Sequence, residues 1–310
     1  MRARRIFFRI ILAGLVLISS FYIFLKSNQE TEELSEADHA RVPGKVVQLA
    51  QGVTHYFQGG SDSSGLVVFI HGGGITGLEV WENNLPFFIE KGYQVLAYDL
   101  YGRGYSERAQ VDYTPELFRD QLSGLLDTLN VREPFHIVTM SMGAMIALDY
   151  TALHPEMVKK IVLIDPAATG DFKPNILLRI PLINSVLMTL YWYPSAVENQ
   201  RKEFVDQELF NVYQERLKYF MNFSGYKYVN YSTWMHTLGQ SKIHLLDSIK
   251  ADSILLLYGE HDPYFPSGNV DVYTSHYPSL QHHAIEGAGH MPHLEKPAEV
   301  NSLIHSFLTD

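Results

Sequence analysis

A series of short apolar runs constrains the fold of this 310-residue chain more than any other feature. Five runs have the length of a β-strand, and they lie at Gly65–Ile70, Tyr93–Leu100, Phe135–Val138, Lys160–Pro166 and Ser253–Gly259. Mostly apolar runs without polar alternation are typical of strands buried on both sides of a sheet. Both faces of such a sheet must be covered by other elements, and helices usually do this, so the pattern predicts an α/β fold.

Helix-like segments separate the runs. The sequence predicts helices at Trp81–Lys91, Pro115–Leu129, Gly143–His154 and Ala298–Leu308, and a β-hairpin entering the sheet from Lys45. Strands that alternate with helices in this way form a mostly parallel sheet with helices on both faces.

One interval interrupts this alternation. Residues 167–251 are too long for a single crossover helix and are rich in aromatic side chains. We predict that they form an inserted helical cap above the carboxyl edge of the sheet, and that residues 45–166 and 252–310 form the core. A second independent domain is the alternative. The apolar stretch Ile176–Tyr193 is expected to roof an apolar pocket.

The N-terminus resembles a membrane segment. Arg2, Arg4 and Arg5 precede the run Ile6–Leu25, which contains one charge, Arg9, and is about 30 Å long as a helix at about 1.5 Å per residue. Basic residues before the run favour a cytoplasmic N-terminus and place the rest of the chain on the non-cytoplasmic side. We therefore predict a single-pass membrane anchor at 1–26 and a polar linker at 27–44. The alternative is a signal sequence that is cleaved, which gives a secreted protein.

Composition excludes several functions. The formal net charge is −10, which argues against nucleic acid as a general partner. The chain has no cysteine, so disulfides, cysteine-ligated zinc and thiol catalysis are excluded.

Polar or glycine-rich motifs follow the predicted strands. Since open parallel sheets bind ligands at the carboxyl ends of their strands, these motifs are expected to meet at one edge. They are the run His71–Gly74, the loop Asp99–Ser106, Ser141, Asp262 and His290.

Ser141 stands between a predicted strand and a predicted helix, in "TMSMG". A strand, a sharp turn with a serine at its tip and a helix form a nucleophile elbow, whose usual pattern is G-x-S-x-G. Here Thr139 replaces the first glycine, and we expect slightly looser packing to accommodate it. A serine that merely caps the helix is the alternative.

Together these motifs resemble the α/β-hydrolase fold family, of the type that carries a cap and includes esterases and monoacylglycerol-lipase-like enzymes. The resemblance covers most of the chain from Lys45 and implies an eight-stranded, mostly parallel sheet. The chain order Ser141, Asp262, His290 matches the order of the family's catalytic triad. The resemblance also implies oxyanion donors at the backbone N–H groups of Gly73 and Met142.

Other residues compete for the catalytic roles. Glu260 and Asp252 are alternative acids, and His282, His283 and His293 are alternative bases. His71 is expected to brace its loop, and Asp99 and Arg103 to shape a turn.

The resemblance predicts a serine hydrolase that cleaves carboxylic esters, with apolar acyl or acylglycerol-type substrates. No cofactor or metal is predicted, because His71–Gly74 lacks the Lys-Ser/Thr of a phosphate-binding loop and no metal-binding motif occurs. The partners are then a small ester or lipid and the membrane. Carbon–carbon bond hydrolysis, cofactor-free haloperoxidase chemistry, acyl transfer and a non-catalytic membrane-tethered binding protein remain alternatives.

Overall fold

The computed structural model describes residues 2–61, 63–250, 253–266 and 268–310. Eight strands form one sheet, in the order β1-β2-β4-β3-β5-β6-β7-β8. Their bounds are β1 Lys45–Leu49, β2 Gly52–Gly60, β3 Leu66–Ile70, β4 Gln94–Tyr98, β5 Phe135–Met140, β6 Val158–Ile164, β7 Ile254–Gly259 and β8 Gln281–Ile285. Strand β2 is antiparallel to β1 and to β4, and all other pairs are parallel. The predicted fold class is confirmed.

Strand β3 shows why the central runs are apolar throughout. All five of its residues are buried. Val68 and Ile70 pack into a hydrophobic cluster on one face of the sheet, whereas Val67 and Phe69 pack into a second cluster on the other face. Because successive side chains point to opposite faces, a strand with a core on each side needs apolar residues at every position.

Helices cover both faces of the sheet. Their bounds are α1 Arg2–Ser27, α2 Glu36–His39, α3 Leu85–Glu90, α4 Pro115–Thr128, α5 Gly143–Leu153, α6 Ile183–Leu187, α7 Tyr193–Arg201, α8 Gln207–Met221, α9 Tyr226–His236, α10 Asn269–His276, α11 Pro292–Glu295 and α12 Pro297–Thr309. Helices α4, α5 and α10 pack into the first cluster, and α3 and α12 into the second. The helix predicted at Trp81–Lys91 begins later, at Leu85, because Pro86 is tolerated only in the first turn.

Helices α6–α9 lie between β6 and β7, within the residues predicted to form the cap. Helix α8 turns Phe210, Tyr213, Leu217 and Phe220 into the second hydrophobic cluster. This spacing places them on one side of the helix. The boundary predicted between residues 251 and 252 lies outside the described residues.

Helix α1 is mostly exposed. Residues Arg4–Ser27 form an apolar span of 24 residues that is long enough to cross a bilayer, and none of its most apolar window is buried. Near its end, the Tyr22 hydroxyl hydrogen-bonds the Ser185 hydroxyl at 2.8 Å. The predicted linker also contacts the cap, since Glu30 pairs with Lys227 at 3.0 Å and Glu32 N donates to Asn222 O at 3.0 Å.

Candidate active site

Ser141 occupies a strained turn between β5 and α5. Its φ of 51° lies in the left-handed region, which is uncommon for a residue other than glycine. The backbone holds this conformation from both sides, because Ser141 N donates to Ile164 O at 2.8 Å and Ser141 O accepts from Ala167 N at 3.1 Å. The predicted elbow geometry is therefore present, with the serine at its tip.

The residues beside Ser141 explain the departure from the usual motif. A Cβ atom on Gly143 would lie 2.6 Å from Ile70 O and 2.8 Å from His71 O, so this position requires glycine. Thr139 is fully buried within β5, and its hydroxyl donates to Val162 O at 3.2 Å. Threonine is thus accommodated by a hydrogen bond to the neighbouring strand, where we had expected looser packing.

His290 and Asp262 form a buried pair. The distance from His290 Nδ1 to Asp262 Oδ2 is 2.7 Å, and Asp262 Oδ1 accepts from Tyr264 N at 2.7 Å. Burial alone would lower the pKa of His290, but the hydrogen bond and negative charge of Asp262 outweigh it and raise this pKa. Burial opposes the charge of Asp262, but the hydrogen bond and charge of His290 hold the pKa of Asp262 below its usual value.

A second buried carboxyl group, Asp165, lies beside this pair. One oxygen or nitrogen atom from each of Asp165, Asp262 and His290 lies within 4.8 Å of the others. Burial, followed by the charge of Asp262, raises the pKa of Asp165 well above its usual value. The contact between the Asp165 and Asp262 carboxyl groups and the hydrogen bond between Asp262 and His290 account for this grouping.

Ser141 and His290 line the same cavity, which has a volume of about 90 Å³. Its other lining residues are His71, Gly72, Gly73, Gly74, Val80, Met140, Gln200, Glu203 and Met291. A Cβ atom on Gly73 would lie 3.9 Å from Met142 Sδ, so the two predicted oxyanion residues are close together. Their backbone N–H groups donate to no other described residue, which leaves them free for a ligand.

The loop around His71 is fixed by buried polar groups. His71 Nε2 accepts from Leu100 N at 2.9 Å, and Nδ1 hydrogen-bonds Gly72 O at 2.7 Å. Burial lowers the pKa of His71 to about 4, so it is neutral, as its bracing role requires. Asp99 accepts from Leu78 N and Tyr105 N, and Arg103 Nε donates to Gly73 O at 3.4 Å.

The competing residues lie elsewhere. His282 and His283 are exposed on β8, and Glu260 is exposed and accepts from Gly287 N. His293 is buried against Trp81 with a ring-centroid distance of 4.6 Å, and burial, followed by the charge of His290, lowers its pKa to about 3. Asp252 lies outside the described residues.

Two carboxylates that the sequence analysis did not single out connect the cap to the His290 loop. Glu203, from the cap, lines the cavity, and its backbone O accepts from His290 N at 2.7 Å. Glu295 accepts from Val205 N and Asp206 N, each at 2.7 Å, and from Gly289 N at 2.6 Å. Neither residue follows a strand, so the rule that found Asp262 does not apply to them.

The chain belongs to the α/β-hydrolase fold family, whose model matches residues 65–297. Among its relatives, 2-hydroxymuconate semialdehyde hydrolase from a Pseudomonas species is 26% identical and covers 79% of this chain and 87% of its own length. (E)-2-((N-methylformamido)methylene)succinate hydrolase from Acinetobacter baylyi is 26% identical, covering 85% of this chain and 97% of its own.

A solved structure supports the same fold. The thermophilic esterase from Thermogutta terrifontis superposes with a TM-score of 0.72 at 19% identity, covering 86% of this chain and 98% of that one. The two curated relatives described above are hydrolases by name, whereas others are a non-heme chloroperoxidase and a decarboxylase. By family the chain is a hydrolase.

Proposed function

We propose that the protein hydrolyses carboxylic esters, with Ser141 as nucleophile, His290 as general base and acid, and Asp262 as the carboxylate that orients His290. One observation carries the proposal. Ser141 and His290 line one cavity, while Nδ1 of His290 is hydrogen-bonded to Asp262 at 2.7 Å. This hydrogen bond leaves Nε2 as the atom that accepts the serine proton.

The reaction begins when Ser141 Oγ attacks the ester carbonyl carbon and its proton passes to His290 Nε2. Negative charge on the carbonyl oxygen is stabilised by the backbone N–H groups of Gly73 and Met142. The tetrahedral intermediate then expels the alcohol, which takes the proton from His290, and an ester on Ser141 remains. Water, deprotonated by His290, hydrolyses this acyl-enzyme and releases the acid.

The size of the cavity limits the acyl group. Its volume of about 90 Å³ is well below the roughly 300–1,000 Å³ of pockets for drug-sized ligands. Val80, Met140 and Met291 give it an apolar side. The segment Ile176–Tyr193, which we had expected to roof the pocket, does not line this cavity. Short and medium apolar acyl chains therefore suit the site better than long ones.

A panel of esters with one leaving group and graded acyl length tests this proposal on the full chain. We expect kcat/KM to be highest for short and medium chains and Ser141→Ala to lose at least about 1000-fold in kcat. Ser224→Ala, in the cap, is the matched control and keeps its activity. A fluorophosphonate probe should label Ser141. An unlabelled serine in folded protein that hydrolyses no ester favours a binding protein. Full activity in Ser141→Ala contradicts the role of Ser141.

The relatives favour a second candidate, hydrolysis of an unsaturated oxo acid or of an enamide acid. The compounds in their names are a muconate semialdehyde and a succinate, both carboxylates. The same serine and histidine could serve that reaction. Turnover of a 2-hydroxy-6-oxo-dienoate faster than any ester in the panel supports this candidate over the esterase.

We further propose that α1 anchors the protein in a membrane, with the catalytic domain on the non-cytoplasmic side. The span Arg4–Ser27 supports this, as do its exposed apolar side chains. The cap adds apolar surface beside it, because Ile176, Leu182 and Tyr191 are 65%, 81% and 73% exposed and Ser185 hydrogen-bonds Tyr22. We propose that this surface rests on the same bilayer.

Membrane fractionation tests the anchor. Leu15→Arg combined with Ile18→Arg places two charges in the middle of the span, each costing about 2.5–3.5 kcal/mol. We expect the full chain to resist alkaline carbonate extraction and the variant to be released. Ser27→Arg, at the helix end, is the control and stays bound. A mature wild-type protein that is soluble and shorter by the length of α1 supports a cleaved signal sequence instead.

A further inference from the structure

Glu203 is a carboxylate in the wall of the cavity that the proposed reaction does not use. Its Oε2 accepts a hydrogen bond from Gln200 Nε2, and its side chain also hydrogen-bonds Tyr264. The Tyr264 ring packs edge-on against the His290 ring at a centroid distance of 5.1 Å. Burial raises the pKa of Glu203 to about 7, with the charge of His290 opposing this rise.

The position of Glu203 is fixed relative to His290. Glu203 O accepts from His290 N at 2.7 Å, and a Cβ atom on Gly289 would lie 2.3 Å from the same oxygen. Glycine at 289 is therefore required for this close approach. The backbone of Glu203 cannot move away from the histidine loop without breaking these contacts, and its carboxylate is held separately, by Gln200 and Tyr264.

The mechanism determines which part of an ester lies there. His290 delivers its proton to the departing alcohol, so the alcohol portion must approach His290. Glu203 and Gln200 line the cavity together with His290, on the side of the cap. The polar wall thus faces the alcohol portion, whereas Val80 and Met140 are available to the acyl portion.

The described part of the cavity wall contains a carboxylate, Glu203, but no strongly basic side chain to balance it. Among the described residues that line the cavity, none is lysine or arginine. Above its pKa of about 7, a buried carboxylate with no lysine or arginine beside it attracts hydrogen-bond donors and cations and repels anions, and the low dielectric of the site strengthens both effects.

We propose that Glu203 forms a subsite for an alcohol portion that carries hydrogen-bond donors, either hydroxyl groups or an ammonium group, and that it rejects alcohol portions that carry a carboxylate. This inference rests on the esterase function proposed above. It adds a substrate class that the triad alone does not define.

Four butyrate esters of similar size test the subsite. Their alcohols end in a methyl group, a hydroxyl group, a trimethylammonium group and a carboxylate. We expect wild-type kcat/KM to be highest for the hydroxyl or ammonium ester and at least about tenfold lower for the carboxylate than for the methyl ester. The hydroxyl and ammonium arms distinguish a polyol substrate from a cationic one.

The matched variants are Glu203→Gln, which removes the charge, and Glu203→Asp, which keeps it. Relative to the methyl ester in the same variant, Glu203→Gln should improve the carboxylate ester about tenfold or more, and Glu203→Asp should not. If Glu203→Gln fails to fold, the ranking of the four esters by wild-type kcat/KM still tests the subsite.

Equal wild-type rates for the methyl and carboxylate esters overturn the subsite, as does an unchanged ratio in Glu203→Gln. In either case, hydrolysis of the methyl ester that depends on Ser141 keeps the esterase proposal intact. No hydrolysis of any ester refutes the esterase proposal itself.

Discussion

Replacing Asp262 by asparagine tests the acid–base pair most directly. An asparagine amide that faces His290 Nδ1 favours the wrong tautomer and removes the charge that stabilises the imidazolium. In a triad with no other acid, this change lowers kcat about 10⁴-fold, or about 5.5 kcal/mol.

Asp165 should limit that loss. Its carboxyl oxygen lies within 4.8 Å of the His290 nitrogen, and its pKa is raised first by burial and then by the charge of Asp262. The Asp262→Asn change removes the second cause. A carboxylate at 4.8 Å stabilises an imidazolium by about 3.5 kcal/mol at an effective dielectric constant of about 20. Because ionising a buried Asp165 costs part of this energy, we expect kcat to fall only about 100- to 1000-fold.

The assay is steady-state hydrolysis of a chromogenic short-chain ester by four proteins, namely wild type, Asp165→Asn, Asp262→Asn and the double variant. Asp165→Asn alone should lose less than about tenfold, since an asparagine amide offers Asp262 a hydrogen-bond donor and leaves the Asp262–His290 hydrogen bond in place. The double variant should lose about 10⁴-fold, which is at least about tenfold more than Asp262→Asn alone. Thermal unfolding checks that each variant folds.

A double variant no worse than Asp262→Asn would refute the assistance by Asp165. A loss in Asp165→Asn as large as that in Asp262→Asn would instead make Asp165 the acid on which His290 depends.

Three further predictions concern the elbow and the base. In Gly143→Ala, the new Cβ would lie 2.6 Å from a carbonyl oxygen. We therefore expect the free energy of unfolding to fall by about 1–3 kcal/mol, measured by denaturant titration. We also expect kcat to fall at least about tenfold, measured by ester hydrolysis. The log of kcat/KM should rise with pH, because His290, the proposed base, must be neutral to act. The midpoint should lie above the ordinary histidine value of 6.5, because Asp262 raises the pKa of His290 despite burial. A midpoint below 6.5 contradicts this. Thr139→Gly, which restores the usual motif, should still destabilise by about 1–2 kcal/mol in urea, since it removes the hydrogen bond to Val162 O.

The sequence predicted where the three proposed catalytic residues meet better than it predicted the residues around them. Ser141, Asp262 and His290 each follow a strand, and the carboxyl ends of neighbouring parallel strands lie at one edge whatever the loops do. Asp165 follows β6 by the same rule. The conformations of two loops decide which of the two acids bonds His290, and strand patterns carry no information on them.

The cap was less predictable for a physical reason. An apolar stretch such as Ile176–Tyr193 can face a pocket, a core or lipid, because hydropathy is the same in each case. Glu203 lies outside any periodic apolar pattern, and only tertiary packing brings it to the cavity. The tie between the predicted linker and Lys227 likewise depends on contacts between distant parts of the chain.

The hydrogen bonds that Glu295 accepts have a kinetic consequence. They join Val205 and Asp206 of the cap to Gly289 of the histidine loop. A cap that swings outward to exchange ligands must either break these bonds or pull His290 away from Ser141. Opening the cap therefore costs either these hydrogen bonds or the position of the base, and this cost favours the closed state between rounds of ligand exchange. Turnover would then follow the frequency of that opening, and solvent viscosity would slow it.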